Sequence, residues 1–295
     1  MISTRRHVFS VFDVVNTIIL GVMCLTIIVP FDHLLSISLS PSWVATKGGL
    51  HLWPVSFTIQ NYQQVIRSRL IWVGYRNTLI RTVLGTAMQL FATSLGAYVL
   101  SKRYYPHRAF WTLFIVFTMF FSGGMIPSYL LMKNLHLFDN YLVLVLPGLV
   151  SAYNLVLMRN FFTSLPEELE ESGLIDGAGR FTIFMRIVLP CSAPILATIG
   201  LWLAVGHWNA WFDALMYMRD ANKFVLQIVL RRIILEGTQQ MLELNPGALT
   251  NETPLVSPDG LKAASVFVAT LPIICVYPFI QKYFVKGIMV GSLKG

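Results

Sequence analysis

Charge is what this sequence has least of: Asp, Glu, Lys and Arg together make up 12% of its 295 residues, roughly half the share of a soluble domain. A chain so short of charge is not built to be wetted over its whole outer surface. Acids are scarcer than bases, 14 against 22, for a net charge of +8. The Lys and Arg residues nevertheless flank apolar segments rather than forming one stripe, which argues against a nucleic-acid partner. Cysteine is limited to Cys24, Cys191 and Cys275 with no C-x-x-C spacing, so neither a disulfide nor a metal site is expected. No G-x-x-x-x-G-K-S/T loop is present to cradle phosphates. An intramembrane enzyme is disfavoured by the lack of H-E-x-x-H, of paired aspartates in apolar runs and of a G-x-S-x-G elbow.

What abounds is apolar surface, 55% of residues with a mean hydropathy of +0.64. A soluble core of this length needs less, whereas lipid-facing helices require it. Crossing a bilayer takes about 20 apolar residues, and six runs qualify, at about 11–31, 75–100, 110–132, 141–162, 195–217 and 263–284. The first is preceded by Arg5 and Arg6 but is longer than a signal-peptide core and no A-x-A-like site follows it, so it reads as an uncleaved span. The expectation is an all-α polytopic membrane protein of six transmembrane helices, a single domain over 1–295.

Orientation follows the Lys/Arg bias of short connections. Arg5 and Arg6 before the first span, Lys102, Arg103 and Arg108 between the second and third, and Lys282 and Lys286 after the sixth fall on one side, the cytoplasmic one. The segments 32–74 and 218–262 then lie outside. They also carry Arg67, Arg69, Arg231 and Arg232, but long loops translocate largely regardless of charge. Both termini are expected in the cytoplasm of a bacterial inner membrane, and 163–193 becomes the large cytoplasmic loop.

That loop opens with Ser164-Leu-Pro-Glu167, the pattern of a capping box in which the Ser hydroxyl accepts the Glu167 amide. Glu167, Glu168, Glu170 and Glu171 crowd the first turns, where the helix dipole favours negative charge. A helix is predicted from Leu165 to near Asp176-Gly177, since glycine readily takes the left-handed closing conformation. Phe181, Phe184 and Ile187 stand at helical spacing in a second short helix ending at Leu189-Pro190. An interfacial helix pair lying in the headgroups is the alternative. Four acids argue against it, because an anionic leaflet repels them and a basic or polar cleft on a partner accepts them.

Glu171-Ser-Gly-Leu-Ile-Asp-Gly177, nine residues, then Ile187-Val-Leu-Pro190 resembles the E-A-A, three residues, G, nine residues, I-x-L-P motif of permease subunits in binding-protein-dependent ABC importers. Ser172 and Gly173 stand where that pattern has two alanines. Phe121-Ser-Gly-Gly-Met-Ile-Pro127, Met158-Arg-Asn-Phe-Phe162, Gly206-His-Trp-Asn209 and Gln281-Lys-Tyr-Phe-Val-Lys-Gly287 resemble the carbohydrate branch of that family. The resemblance implies the type I importer (MetI-like) permease fold and a non-catalytic role. It implies as partners a second permease, two ATPase subunits that bind the ATP and Mg this chain does not, an extracellular solute-binding protein and an oligosaccharide. It makes 163–193 the coupling loop, with Glu167, Glu168, Glu171, Gly173, Asp176, Gly177 and Ala178 as docking and hinge residues.

A sugar also needs a polar path at mid-membrane. Trp202, His207, Asn209 and Asp213 in the fifth span and Arg81 in the second are the candidates, since aromatic rings stack on sugar faces and polar groups bond hydroxyls. Trp208 and Trp211 suit an interfacial belt as well, and His207 suits a hydrogen-bonded bundle histidine. Arg81 and the basic outer segments lean toward acidic oligosaccharides such as oligouronates. An ion-coupled secondary transporter is the rival reading, but it calls for internal repeats and acids in its spans, and here Asp213 is the one such candidate, Asp13 standing only at the start of the first run.

Overall fold

A computed structural model describes residues 11–45, 48–236 and 257–292, with side chains excluded for Glu236 and beyond Cys275. Arg5 and Arg6 lie outside the described residues, as do the side chains of Lys282 and Lys286. All described secondary structure is helical, as expected where a bilayer leaves backbone groups no water to bond. The helices are α1 (Val11–Ser38), α2 (Ser42–Ala45), α3 (Gln60–Arg67), α4 (Arg69–Ser101), α5 (Arg108–Phe120), α6 (Met125–Asn134), α7 (Ala152–Thr163), α8 (Glu168–Ile175), α9 (Arg180–Ile183), α10 (Leu189–Cys191), α11 (Ala193–Asn209), α12 (Phe212–Tyr217), α13 (Leu226–Glu236) and α14 (Pro258–Ser292). Among described residues three helices are long and apolar enough to cross a membrane, α1, α4 and the start of α14, and three bent pairs extend this to as many as six if each pair is one span.

The bends correct the expectation of continuous spans. α5 and α6 meet at 110° across Phe121-Ser-Gly-Gly124, where Gly124 has φ +86, a backbone that glycine adopts without a Cβ penalty. Residues 141–162 divide into 3₁₀ turns over Tyr141–Gly148 and α7, bent by 57°. The 3₁₀ turns contain Pro147, which lacks the N–H an α-helix would use. The run 195–217 is also interrupted, since α11 ends at Asn209 and α12 begins at Phe212.

The chain divides into two compact units, 1–68 with 232–270, and 69–231 with 271–295. In the first, α1 is largely apolar and exposed from Val11 to Ile28, with burial beginning beyond it and complete at Ser36 and Ser38, the character of a helix solvated by lipid or a partner. Asn61 of α3 is buried and donates to the carbonyls of Ser38 and Ser40, and Gly260 at the start of α14 approaches it so closely that a Cβ would lie 2.8 Å from the amide.

The second unit is built on α4. Its Gly74, Gly85 and Gly96 recur every 11 residues, just over three turns, and each faces a neighbour. A Cβ would lie 3.0 Å from the Leu226 backbone at Gly74, 2.5 Å from the His207 ring at Gly85 and 3.2 Å from Leu155 at Gly96. Small residues that admit close approach are how helices associate in lipid. Asn77 fastens the same helix to the 222–224 turn, donating to the carbonyls of Asn222 and Phe224 while accepting from the Tyr141 hydroxyl. A core of Ala97, Tyr98, Leu155, Met158, Phe162, Phe184 and Ile199 joins α4, α7, α11 and the 163–193 loop.

Candidate functional site

The 163–193 loop contains two helical pieces, as its sequence suggested, but its entrance differs. No capping box forms. Ser164 still closes the last turn of α7, where its amide and its hydroxyl both donate to the Phe161 carbonyl, at 3.0 and 2.7 Å. α8 starts at Glu168 rather than Leu165, after Pro166 and a turn in which the Glu170 and Glu171 amides donate to the Glu167 carbonyl. The exit is as expected. Asp176 caps the helix, Gly177 has φ +79, and the amides of Gly177 and Ala178 donate to the carbonyls of Leu174 and Gly173 at 3.0 and 2.9 Å, the Schellman closure.

The second piece departs from simple helical spacing. α9 runs into a π-helical segment, Phe184–Val188, whose wider turn shifts the register of the buried face. Ile183, Phe184 and Val188 are buried while Phe181 is exposed, so the expected 181/184/187 stripe is replaced by 183/184/188. Gly173 faces this segment. A Cβ there would stand 2.9 Å from Ile187 Cδ1 and 3.1 Å from Ile183 Cγ1, which accounts for glycine where the motif has alanine: two isoleucines fill the space.

The outward surface of the loop is acidic with an apolar tip. Glu167, Glu168, Glu171, Asp176 and Gly177 are exposed and Ala178 is half-buried. Ile175 is 86% exposed, a residue the charge pattern did not single out. Around Gly177 a Cβ would meet nothing within 4 Å, so that position is limited by its positive φ and not by crowding. Glu170 points the other way. Its carboxylate takes the Lys102 ammonium and the Tyr98 hydroxyl, and Lys102 also sits 4.6 Å above the Tyr98 ring.

The residues expected along a polar path divide into two groups. Arg81 comes together with His207 and Asp213, though 126 and 132 positions separate it from them. Arg81 grips both oxygens of Asp213 in a bidentate fork, donates to the Ala210 carbonyl at 3.2 Å and reaches His207 Nδ1 at 3.4 Å. Since Nδ1 accepts, Nε2 carries the proton and donates to Gln89 Oε1 at 3.1 Å, and Gln89 donates in turn to the Gly148 carbonyl. The side chains of Arg81 and Asp213 are 3% and 31% exposed. Arg81's charge is thus neutralised within the chain, and the idea that it attracts an acidic ligand loses its footing. Trp202 and Asn209 remain exposed, and Trp202 stacks on Tyr153 of α7 at 6.5 Å. Gln89, Gly85 and Tyr153 escaped the sequence reading because an amide, a glycine and a tyrosine in an apolar run signal nothing alone. Among the described residues no group of His, Cys, Asp and Glu could hold a metal.

Residues 71–290 match the family model for the binding-protein-dependent transport system inner membrane component. The chain is 40% identical over 285 residues to the protein LplC of Bacillus subtilis, covering 97% of this chain and 95% of that one. It is 39% identical over 287 residues to the polygalacturonan/rhamnogalacturonan transport system permease protein YtcP of Bacillus subtilis, covering 96% and 98%. Among solved structures it resembles a chain in the crystal structure of a bacterial ABC transporter involved in import of the acidic polysaccharide alginate, with a TM-score of 0.87 and 34% identity over 96% of this chain and 100% of the other.

Proposed function

The chain belongs to the family of inner membrane components of binding-protein-dependent transport systems, and from that premise we propose that it is a membrane-spanning permease subunit of an ABC importer for acidic oligosaccharides. A soluble binding protein delivers the sugar from outside, a second permease completes the path, and two ATPase subunits hydrolyse ATP on the cytoplasmic side. Both termini and the 163–193 loop face the cytoplasm.

The observation that carries this reading is the loop itself. α8 presents Glu168, Glu171 and Asp176 around an exposed Ile175 and is closed at Gly177 by a left-handed turn, a shape suited to a groove with a basic rim and an apolar floor. Acidic substrates are favoured by the relatives that act on them, the alginate importer and YtcP, and no longer by Arg81. Trp202 with Tyr153, Asn209 and the exposed edge of Asp213 are the groups left to meet a sugar.

The test is reconstitution in liposomes with the second permease, the ATPase and the binding protein, comparing native chain with Gly177→Asp. Asp tolerates positive φ better than most residues and meets no neighbour, so the variant disturbs what docks on the turn and leaves the fold in place. Sugar-stimulated ATP hydrolysis is expected to vanish while membrane insertion persists. Oligoalginate and oligogalacturonate should stimulate the native assembly more than maltooligosaccharides do. Full stimulation in Gly177→Asp would refute the loop assignment, and stimulation by the neutral sugars alone would refute the substrate class.

A further inference from the structure

α8 packs against α9 and the π-helical segment that follow it in the same loop, with Gly173 seated on Ile183 and Ile187. Those contacts make the loop a unit but do not by themselves fasten α8 to a membrane helix. The buried polar attachment to the end of α4 runs through Glu170; the Arg103–Glu167 pair beside it is long, 4.0 Å, and exposed, and Arg180 of α9 lies over the Tyr104 ring at 4.1 Å. One carboxylate oxygen of Glu170 takes Lys102, the other lies 3.3 Å from the Tyr98 hydroxyl, and the side chains of Lys102 and Glu170 are only 14% and 18% exposed. Tyr98 is the hub, for its ring also packs on Phe184 at 5.0 Å and on Phe162 at 6.5 Å. A cleft of about 330 Å³ opens beside these groups, lined by Arg103, Tyr104, Glu167, Leu174 and Arg180 among others. Packing is therefore open on that flank, although Phe162, Leu165 and Ile183 also line it, and the clamp spans the gap.

We propose that Glu170 is a positioning residue for transport: through Lys102 and Tyr98 it makes α8 and the end of α4 move as one body. A displacement of α8 by the ATPase then passes into a 33-residue helix whose Arg81, about 30 Å farther along at 1.5 Å per residue, holds the α11–α12 break through Asp213 and Ala210. The inference rests on the reading of 163–193 as the ATPase-docking loop but assigns a different task to a residue turned away from the docking surface. A polar clamp suits the task because it is directional, and an opposite charge pair rebuilds it.

The experiment uses the reconstituted importer, with oligoalginate and oligogalacturonate as probes, and measures the ratio of stimulated to unstimulated hydrolysis in assembled complexes. Glu170→Lys sets two ammonium groups against each other. The ratio is expected to fall roughly twofold to thirtyfold, the range for residues that carry coupling between sites, and the double exchange Lys102→Glu with Glu170→Lys should restore most of it. A residue important only for folding would lower assembly and both rates together and would not be rescued by the exchange. Should Glu170→Lys fail to assemble, Glu170→Gln, which keeps shape and loses charge, decides the matter by the same ratio. An unchanged ratio in the single variants, or no recovery in an assembled double variant, would overturn the proposal. Gly177→Asp runs in parallel: if it abolishes stimulation while the Glu170 variants do not, the clamp fails and the loop reading stands; if it too is harmless, the loop reading itself has failed.

Discussion

Replacing Asp213 with alanine strands the Arg81 guanidinium in a cavity made for a pair. Breaking one side of a buried ion pair costs about 3–5 kcal/mol. Here the figure falls to roughly 2–3 kcal/mol, because Asp213 keeps 31% side-chain exposure and Arg81 retains the Ala210 carbonyl and His207 Nδ1. Removing both charges, Arg81→Leu with Asp213→Ala, should cost about 1 kcal/mol or less, since apolar replacement of a whole buried pair is often neutral. The double variant should then be more stable than Asp213→Ala alone by about 1–2 kcal/mol, the sign of two coupled sites. The assay is the midpoint of heat-induced loss of soluble complex in nanodiscs, at a fixed heating rate because the loss is irreversible. At about 2–4 °C per kcal/mol, the single variant should lose roughly 4–12 °C and the double variant under about 4 °C. If Asp213→Ala leaves the midpoint unchanged, or the double variant is as unstable as the single, the pair is not the brace described.

Three further outcomes follow from the same geometry. Gly85→Ala sets a Cβ 2.5 Å from the His207 ring and should cost about 1–3 kcal/mol by overpacking, which His207→Ala in the same chain relieves in the same heating assay. Gly173→Ala sets a Cβ 2.9 Å from the end of Ile187 and 3.1 Å from Cγ1 of the buried Ile183 and should cost about 1 kcal/mol, whereas Gly173→Leu should abolish assembly with the ATPase, read by co-purification. Asp139 is held below the usual carboxylate range because the backbone amides of Arg219 and Asp220 donate to it. A depressed folded pKa adds stability above the unfolded value of 3.8 and loses it as pH falls through the folded one. Hydrogen exchange at the 219 and 220 amides, expressed as opening free energy, should hold steady from neutral pH to about pH 5 and lose protection below about pH 4.

The all-helical fold was legible because apolar runs of about 20 residues have few other uses, and the loop stop was legible because Asp-Gly after an amphipathic turn has a specific backbone meaning. The bends were not. Ser122-Gly-Gly124 and Pro147 are tolerated within spans often enough that composition alone does not break a helix there. The capping box failed because two helix ends compete for Ser164, and the α7 C-terminus holds it. The register of 181–188 failed because a π-helical turn adds a residue that periodicity does not announce. Arg81, His207 and Asp213 were each visible as costly residues in apolar runs, while their union depends on the packing of α4 against α11 through Gly85. Glu170 was one glutamate in a row of four, and only its burial beside Lys102 distinguishes it.

The central claim is that the 163–193 loop seats in the ATPase. The most direct measurement replaces Cys24, Cys191 and Cys275 with serine, introduces Ile175→Cys at the exposed tip of α8, and applies a short bifunctional cross-linker to membranes carrying the assembled importer. A covalent adduct of this chain with the ATPase subunit, absent when Phe57, exposed in the segment assigned to the outer face, carries the cysteine instead, is the predicted result. Labelling of residue 175 by an impermeant thiol reagent from outside, with no ATPase adduct, would contradict it.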